Sequence, residues 1–230
     1  GVAVLAAIAL SGLLIGMPRG IGAGLPATSL GERLAVVRRP GAFAALMVTT
    51  VWAVGGYAVY TYIAPLLAAA GFEGAGIGYV LFLWGATAFV GLFLGGMAND
   101  KFGGRRVITA ALPIMALALI SLSVSASYLS VSEALLPVLI AIGIWGLTGW
   151  GFFPAQQVRL IGISGLRAAP VILSLNASFM YLGFSLGAVL GSFTLTRGSV
   201  ADLGWVGGLC VLASFLLFLA THRPERSSKP

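Results

Sequence analysis

Charge is the scarcest feature of this chain: only 8% of its 230 residues are Asp, Glu, Lys or Arg. A soluble domain carries about 25% of such residues to cover its surface, so a water-solvated globule of this size is excluded. There is one cysteine, Cys210, so the chain has no internal disulfide and no Cys-based metal cluster. The single histidine, His222, stands near the carboxy terminus, away from any possible partner ligand. No metal or cofactor is therefore expected. A membrane-embedded enzyme would need a nucleophile with its base, a ligand set or paired acids within the bilayer. The long apolar runs contain no acid and no base, which argues against an enzyme.

What is abundant is apolar length. Hydrophobic residues make up 59% of the chain and the mean hydropathy is +1.05. Reading from charge to charge, the uncharged runs are 1–18, 40–72, 74–99, 107–132, 134–158, 168–196 and 203–222. About 20 helical residues cross the ~30 Å hydrocarbon core, so each run can span it once. Lipid offers no partner to backbone N–H and C=O groups, which leaves helices or closed barrels. Stretches such as VLFLWGATAFVGLFLGG (80–96) lack the alternation of a barrel strand. An all-α integral membrane protein with seven transmembrane helices is predicted.

The basic residues orient these spans. Arg19, Arg33, Arg38 and Arg39 follow the first; Lys101, Arg105 and Arg106 lie between the third and fourth. Arg159 and Arg167 separate the fifth from the sixth, and Arg223, Arg226 and Lys229 form the tail. Twelve of the thirteen Lys and Arg residues thus fall on one side, while Arg197 shares the other with Glu73, Glu133 and Asp202. The positive side stays cytoplasmic, placing the carboxy terminus in the cytoplasm. This also explains the pI near 10.2 without nucleic acid, whose binding would gather the basic residues on one face with stacking aromatics. Residues 1–18 are not a signal peptide, because the basic residues follow the apolar core instead of preceding it. With no initiator methionine, further helices are expected upstream. In the segment after it, GERLAVVRR (31–39) is either a short amphipathic surface helix, with Leu34, Val36 and Val37 dipping into the interface, or an irregular loop.

Three patterns carry functional information. The turn GGMANDKFGGRR runs from Gly95 to Arg106. In it Gly96 would let two helices approach, and the carboxylate of Asp100 would cap a helix or pair with an arginine. Glycines recur at four-residue spacing at Gly91 and Gly95 and at Gly183, Gly187 and Gly191, each set in the middle helix of a group of three. Such stripes pack helices backbone to backbone in lipid, and their placement hints at an internal repeat. Finally, Tyr57, Tyr60 and Thr61 share one face, with Thr50 two turns earlier. Polar tips avoid lipid, so this face should look into the bundle. Trp84 and Thr87, Trp145 and Thr148, and Asn176 are similar candidates. Aromatic rings with a few hydroxyls and an amide suit an amphipathic organic molecule; interhelical packing is the plainer alternative.

The turn resembles the signature loop of the major facilitator superfamily, G-x-x-x-D-K-x-G-x-R-R, through Gly96, Asp100, Lys101, Gly103 and Arg105 or Arg106. Gly104 departs from it, standing where that family usually has an arginine. AVYTYIAPLL (58–67), WGLTGWGFFPAQQVRL (145–160) and LNASFMYLGFSLGAVLGS (175–192) resemble the seventh, tenth and eleventh helices of its drug/sugar:proton antiporters, the arabinose-efflux-like members. The resemblance implies that residues 1–18 end helix six and that 19–40 form the central cytoplasmic linker. Residues 41–221 would be helices seven to twelve, the carboxy-terminal bundle, and 222–230 a cytoplasmic tail. It further implies a multi-pass protein of the cytoplasmic membrane that exports a small molecule by alternating access, coupled to protons. The coupling carboxylate would belong to the missing amino-terminal bundle, since no span here holds one. Tyr57, Tyr60, Thr61, Trp84 and Asn176 are then expected to line the substrate cavity. Gly96, Asp100, Lys101, Gly103, Arg105 and Arg106 are expected to form a conformational latch. A half-size homodimeric transporter and a truncated, non-transporting membrane protein are the alternatives.

Overall fold

A computed structural model describes residues 2–16, 30–38 and 40–221. Among them every regular element is a helix: α1 (Val2–Gly16), α2 (Leu30–Val37), α3 (Pro40–Tyr60), α4 (Ile63–Ala69), α5 (Ala75–Phe102), α6 (Gly104–Tyr128), α7 (Val131–Ser164), α8 (Ala169–Arg197) and α9 (Leu203–Thr221), with two short 3-10 turns before α8 and α9. Six of these, α3 and α5 to α9, are long and apolar enough to cross a membrane. The seventh expected span corresponds to α1, which has 15 residues. At ~1.5 Å per residue it reaches about 22 Å, short of a ~30 Å core. The described residues therefore supply six membrane-capable helices and one shorter apolar helix. The tail 222–230 and most of the linker 19–40 lie outside the described residues.

Local chemistry accounts for the breaks. Pro65 has no N–H and its ring excludes the carbonyl four residues back, so the run 40–72 divides at Thr61 and Tyr62 into α3 and α4. Gly103 separates α5 from α6 with φ +82°, and Gly165 ends α7 with φ +83°. Both lie in backbone territory that side chains avoid. The acids between the spans start helices. Glu133 Oε2 accepts from the Ser130 N–H at 3.0 Å and the Ser130 hydroxyl at 2.6 Å at the head of α7. Asp202 Oδ2 accepts from the Ser199 N–H at 2.7 Å just before α9.

The helices pair in a crossed pattern. The most extensive contacts join α5 to α7 and α3 to α8, followed by α6 to α7 and α3 to α9. If α3, α5, α6 form one set of three and α7, α8, α9 another, the second and third helices of each set pack on the first helix of the other. The glycine stripes are the means. A Cβ added to Gly183, Gly187 or Gly191 would lie 2.5, 2.7 and 2.5 Å from the carbonyl oxygens of Thr50, Val54 and Ala58, successive turns of α3. Gly91 and Gly95 meet the carbonyls of Leu147 and Gly151 on α7 in the same way. Without a hydrophobic driving force inside lipid, this close backbone approach supplies the dispersion contact that holds the pairs.

One end of the bundle gathers the start of α3, the turn from α5 to α6, the end of α7 and the end of α9. Val36 of α2 is buried there, packed with Ala42, Ala45, Leu46, Leu160, Val171 and Ile172. The segment 31–39 is thus helical over Leu30–Val37, but Val36 turns into the protein instead of the lipid interface; the side chain of Leu34 lies outside the described residues.

Candidate substrate cavity and its supporting network

Near the middle of the bundle, aromatic rings from four helices converge. Tyr57 stacks on Phe184 of α8 with centroids 3.5 Å apart and contacts Tyr60 at 5.4 Å. Tyr60 meets Trp84 of α5 at 4.6 Å and Trp145 of α7 at 6.3 Å, and the two indoles lie 5.6 Å apart, steeply tilted. Trp52, Trp150 and Met115 complete the wall, with the Trp52 N–H directed at the Met115 sulfur at 3.2 Å. The rings leave about 20 Å³ between them, room for one water molecule and far below the ~300 Å³ of a site holding an organic ligand. The cluster has no space for such a ligand in this structure. One polar group points at no protein acceptor: the Trp84 Nε1–H is buried and unpaired.

Three of the five expected cavity residues, Tyr57, Tyr60 and Trp84, therefore come together. Thr61 does not join them. It is exposed, and its hydroxyl donates to its own helix at the Tyr57 carbonyl, 2.8 Å away. Thr87 and Thr148 likewise donate to carbonyls of the preceding turn, while Thr50 faces Phe179 of α8. A threonine in an apolar helix satisfies its hydroxyl locally, so hydroxyl position alone is a poor guide to a cavity.

Asn176 belongs to a second site toward the end of the bundle where α7 stops and α8 begins. There the Thr49 hydroxyl donates to Asn176 Oδ1 at 2.7 Å. Gln156 Nε2 donates to the Ala45 carbonyl at 2.7 Å and to Thr49 Oγ1 at 3.1 Å. Arg159 donates to Gln156 Oε1 at 3.4 Å and to Thr221 at 2.8 Å, with its guanidinium 4.8 Å above the Phe218 ring. Thr49, Gln156 and Asn176 are each no more than 1% exposed, and Asn176 Nδ2 is left without a partner. The chain of contacts ties α3, α7, α8 and α9 together. Arg159, expected in a loop, instead lies within α7 and packs on α9. Its long stem reaches along apolar surface while the cationic head finds neutral acceptors.

In the turn 95–106, Asp100 and Lys101 end α5, Gly103 makes the reversal, and Arg105 and Arg106 occupy the first turn of α6. Asp100 accepts a hydrogen bond from Asn99 at 3.3 Å; α6 has no side-chain cap. The helix approach expected of Gly96 is made by its neighbour Gly95. A Cβ at Gly96 would have nothing within 4 Å. At Gly104 a Cβ would lie 2.9 Å from Asn99 Oδ1 and 3.3 Å from the Ala155 carbonyl, which favours glycine where the signature has arginine.

Relatives extend along almost the whole chain. The MFS-type transporter YbcL of Bacillus subtilis (strain 168) is 32% identical over 204 residues, covering 86% of this chain and 50% of that protein. The inner membrane transport protein YdhP of Escherichia coli (strain K12) is 28% identical over 229 residues, 96% of this chain and 55% of its own length. Relatives of this chain at 25–32% identity are named MFS-type transporters. YtbD of Bacillus subtilis (strain 168), another MFS-type transporter by name, is 25% identical across 83% of this chain and 47% of its own. The chain spans about half the length of the MFS relatives it matches. No family model and no solved structure matches it.

Within this bundle, Gln156 and Thr49 are the polar residues that residue type and spacing did not single out. The signal available was an uncharged amide pair, Gln156 and Gln157, in an otherwise apolar run. Gln156→Leu removes the donor to Ala45 and Thr49 and the acceptor for Arg159. With buried side-chain hydrogen bonds in membrane proteins worth about 0.6–1.7 kcal/mol each, the substitution is expected to destabilise the bundle by about 2 kcal/mol. The midpoint of unfolding in mixed micelles checks this, and Gln157→Leu, outside the network, is the control with no comparable shift.

Proposed function

We propose that the chain is the carboxy-terminal bundle of a secondary transporter, with residues 41–221 as its six-helix unit, and that it exports a small organic molecule by alternating access. The observation that carries this reading is the aromatic cluster of Tyr57, Tyr60, Trp84 and Trp145 at the meeting point of α3, α5, α7 and α8, in which the buried Trp84 indole N–H has no partner. A tightly packed cluster with an unsatisfied group is suited to a site that opens in another state and accepts a ligand with an apolar body and one hydrogen-bond acceptor. Homology to MFS-type transporters supports the transport role.

On this reading the basic end of the bundle faces the cytoplasm. The turn holding Gly96, Asp100, Lys101, Gly103, Arg105 and Arg106 works as a latch against the amino-terminal bundle, released when the halves rock apart. Asp100, exposed and free of any ion pair within the described residues, is available to a partner on that bundle. Coupling to protons requires a carboxylate supplied by the amino-terminal half, because the membrane-spanning interior here offers none.

The test uses the full-length protein with its native cysteines, Cys210 among them, replaced. A cysteine at Lys101 is expected to react with an impermeant maleimide only from the cytoplasmic side, and one at Glu73 only from outside. Reconstituted into vesicles, the protein is expected to move an amphipathic fluorescent compound when a pH gradient is imposed. Asp100→Asn is expected to change the reactivity ratio of inward- and outward-facing reporter cysteines while expression stays normal. Labelling of both cysteines from one side, or flux indifferent to the gradient, would overturn the reading.

A further inference from the structure

On the outside of the bundle, between α5 and α6 and floored by α7, runs a groove of about 400 Å³. Its floor is flat because Gly91 and Gly95 press on α7 at Leu147 and Gly151. Its rims, Leu94, Phe102 and Ile114, are 49, 51 and 43% exposed, so it opens on the surroundings of the bundle. The lining is apolar apart from two side chains. Thr148 spends its hydroxyl on the Ile144 carbonyl at 2.7 Å, leaving Arg106, at one end, as the only group offering polarity.

The dimensions select the occupant. From Gly91 to Phe102 along α5 the rise is about 16 Å at ~1.5 Å per residue, close to the ~15 Å depth of one leaflet of a ~30 Å core. A single extended hydrocarbon chain fits.

The charged end selects the headgroup. Arg105 and Arg106, with Thr109, line an adjoining recess at the mouth of the groove, and Lys101 lies over the Phe102 ring at 5.3 Å. Both arginines occupy the first turn of α6, which has no acidic residue and no side-chain cap. The helix dipole therefore adds to the positive potential. The nearest acid, Asp100, accepts its hydrogen bond from Asn99, and no ion pair neutralises the arginines among the described residues. A basic recess at the headgroup level of a groove one leaflet deep is complementary to an anionic lipid.

We propose that this groove is a binding site for an anionic phospholipid, one acyl chain lying between α5 and α6 and the phosphate held by Arg105 and Arg106. A zwitterionic lipid fits the groove equally well but brings its own cation to the arginines. The inference depends on the chain lying in a bilayer and on Arg105 and Arg106, which the proposed latch also uses; it is independent of which molecule is transported.

The experiment is native mass spectrometry of the full-length protein in detergent, with equal phosphatidylglycerol and phosphatidylcholine. The wild type is expected to retain phosphatidylglycerol preferentially. Arg105→Gln with Arg106→Gln is expected to weaken that lipid roughly 30-fold, to the level of phosphatidylcholine. Ala110→Phe, on the exposed wall of the groove, is expected to expel both lipids while the melting temperature of the lipid-free protein stays unchanged. A benzophenone side chain placed at Ala110 is expected to yield a lipid adduct. Retention of phosphatidylglycerol in the double variant, retention of lipid in Ala110→Phe, or a cross-link to polypeptide in place of lipid would each overturn the proposal.

Discussion

Gly95→Leu is expected to destabilise the bundle by about 3 kcal/mol or to prevent its assembly, whereas Gly96→Leu, one residue further, is expected to leave it folded. A Cβ at Gly95 would run into the carbonyl of Gly151, with the Gly151 Cα only 2.7 Å away, all of it backbone that cannot rotate aside. Relief would require α5 and α7, the most extensively packed pair in the molecule, to separate. Overpacking of a tight core costs about 1–3 kcal/mol even where side chains can adjust, and here none can. Gly187→Leu is expected to do the same to α3 and α8, because its Cβ would stand 2.7 Å from the Val54 oxygen and 3.0 Å from the Ala58 nitrogen. The measurement is the monodisperse fraction and the thermal midpoint in detergent. A Gly95→Leu protein that melts like the wild type would show that the helix pair is not packed on its glycines. Because Gly96 meets open space, any transport defect of Gly96→Leu reports on function and not on folding, which makes it the sharper probe of the proposed latch.

Trp145→Ala is expected to cost about 3 kcal/mol and to abolish transport together. The indole is 3% exposed and holds Tyr60 and Trp84 in place from α7, so its removal leaves a cavity that rigid neighbours cannot fill. Trp84→Phe separates the two effects. It keeps an aromatic ring against Tyr60 but deletes the buried N–H that has no acceptor. An unsatisfied buried donor costs stability, so this variant is expected to be as stable as the wild type or slightly more so. If the substrate supplies the missing acceptor, KM rises roughly tenfold while the folded fraction is unchanged. Thermal midpoints and transport kinetics on the same preparations decide it; unaltered KM would assign the Trp84 nitrogen no part in binding.

Much of this protein is legible along the chain because the bilayer imposes a one-dimensional constraint. An uncharged run long enough to cross hydrocarbon must be helical wherever it ends up in the bundle, and glycine at four-residue spacing must lie on one face. The six long helices and both glycine stripes follow from those two facts. The aromatic residues Tyr57, Tyr60 and Trp84 were legible for a related reason: large amphipathic rings at helical spacing point to a common face. Helix ends were less so. Arg159 marks a loop only if charge must leave the membrane at once, and its long, flexible stem let α7 continue past it to Ser164.

What the order of residues leaves open is partnership. Nothing in the spacing of Gly183, Gly187 and Gly191 says that their carbonyl partners are on α3, nor that α5 should choose α7; pairing depends on which grooves match once all helices are present. The same holds for Asn176, whose amide is the same polar group whether it faces a substrate or Thr49. Periodicity acts within one helix, so the sequence determined the spans, the small-residue faces and the aromatic face. Contacts between helices join residues from about fifty to well over a hundred positions apart, so only the tertiary structure decided that Asn176 and Gln156 brace the bundle, that Gly95 and not Gly96 makes the close approach, and that the buried Trp84 nitrogen is left unpaired.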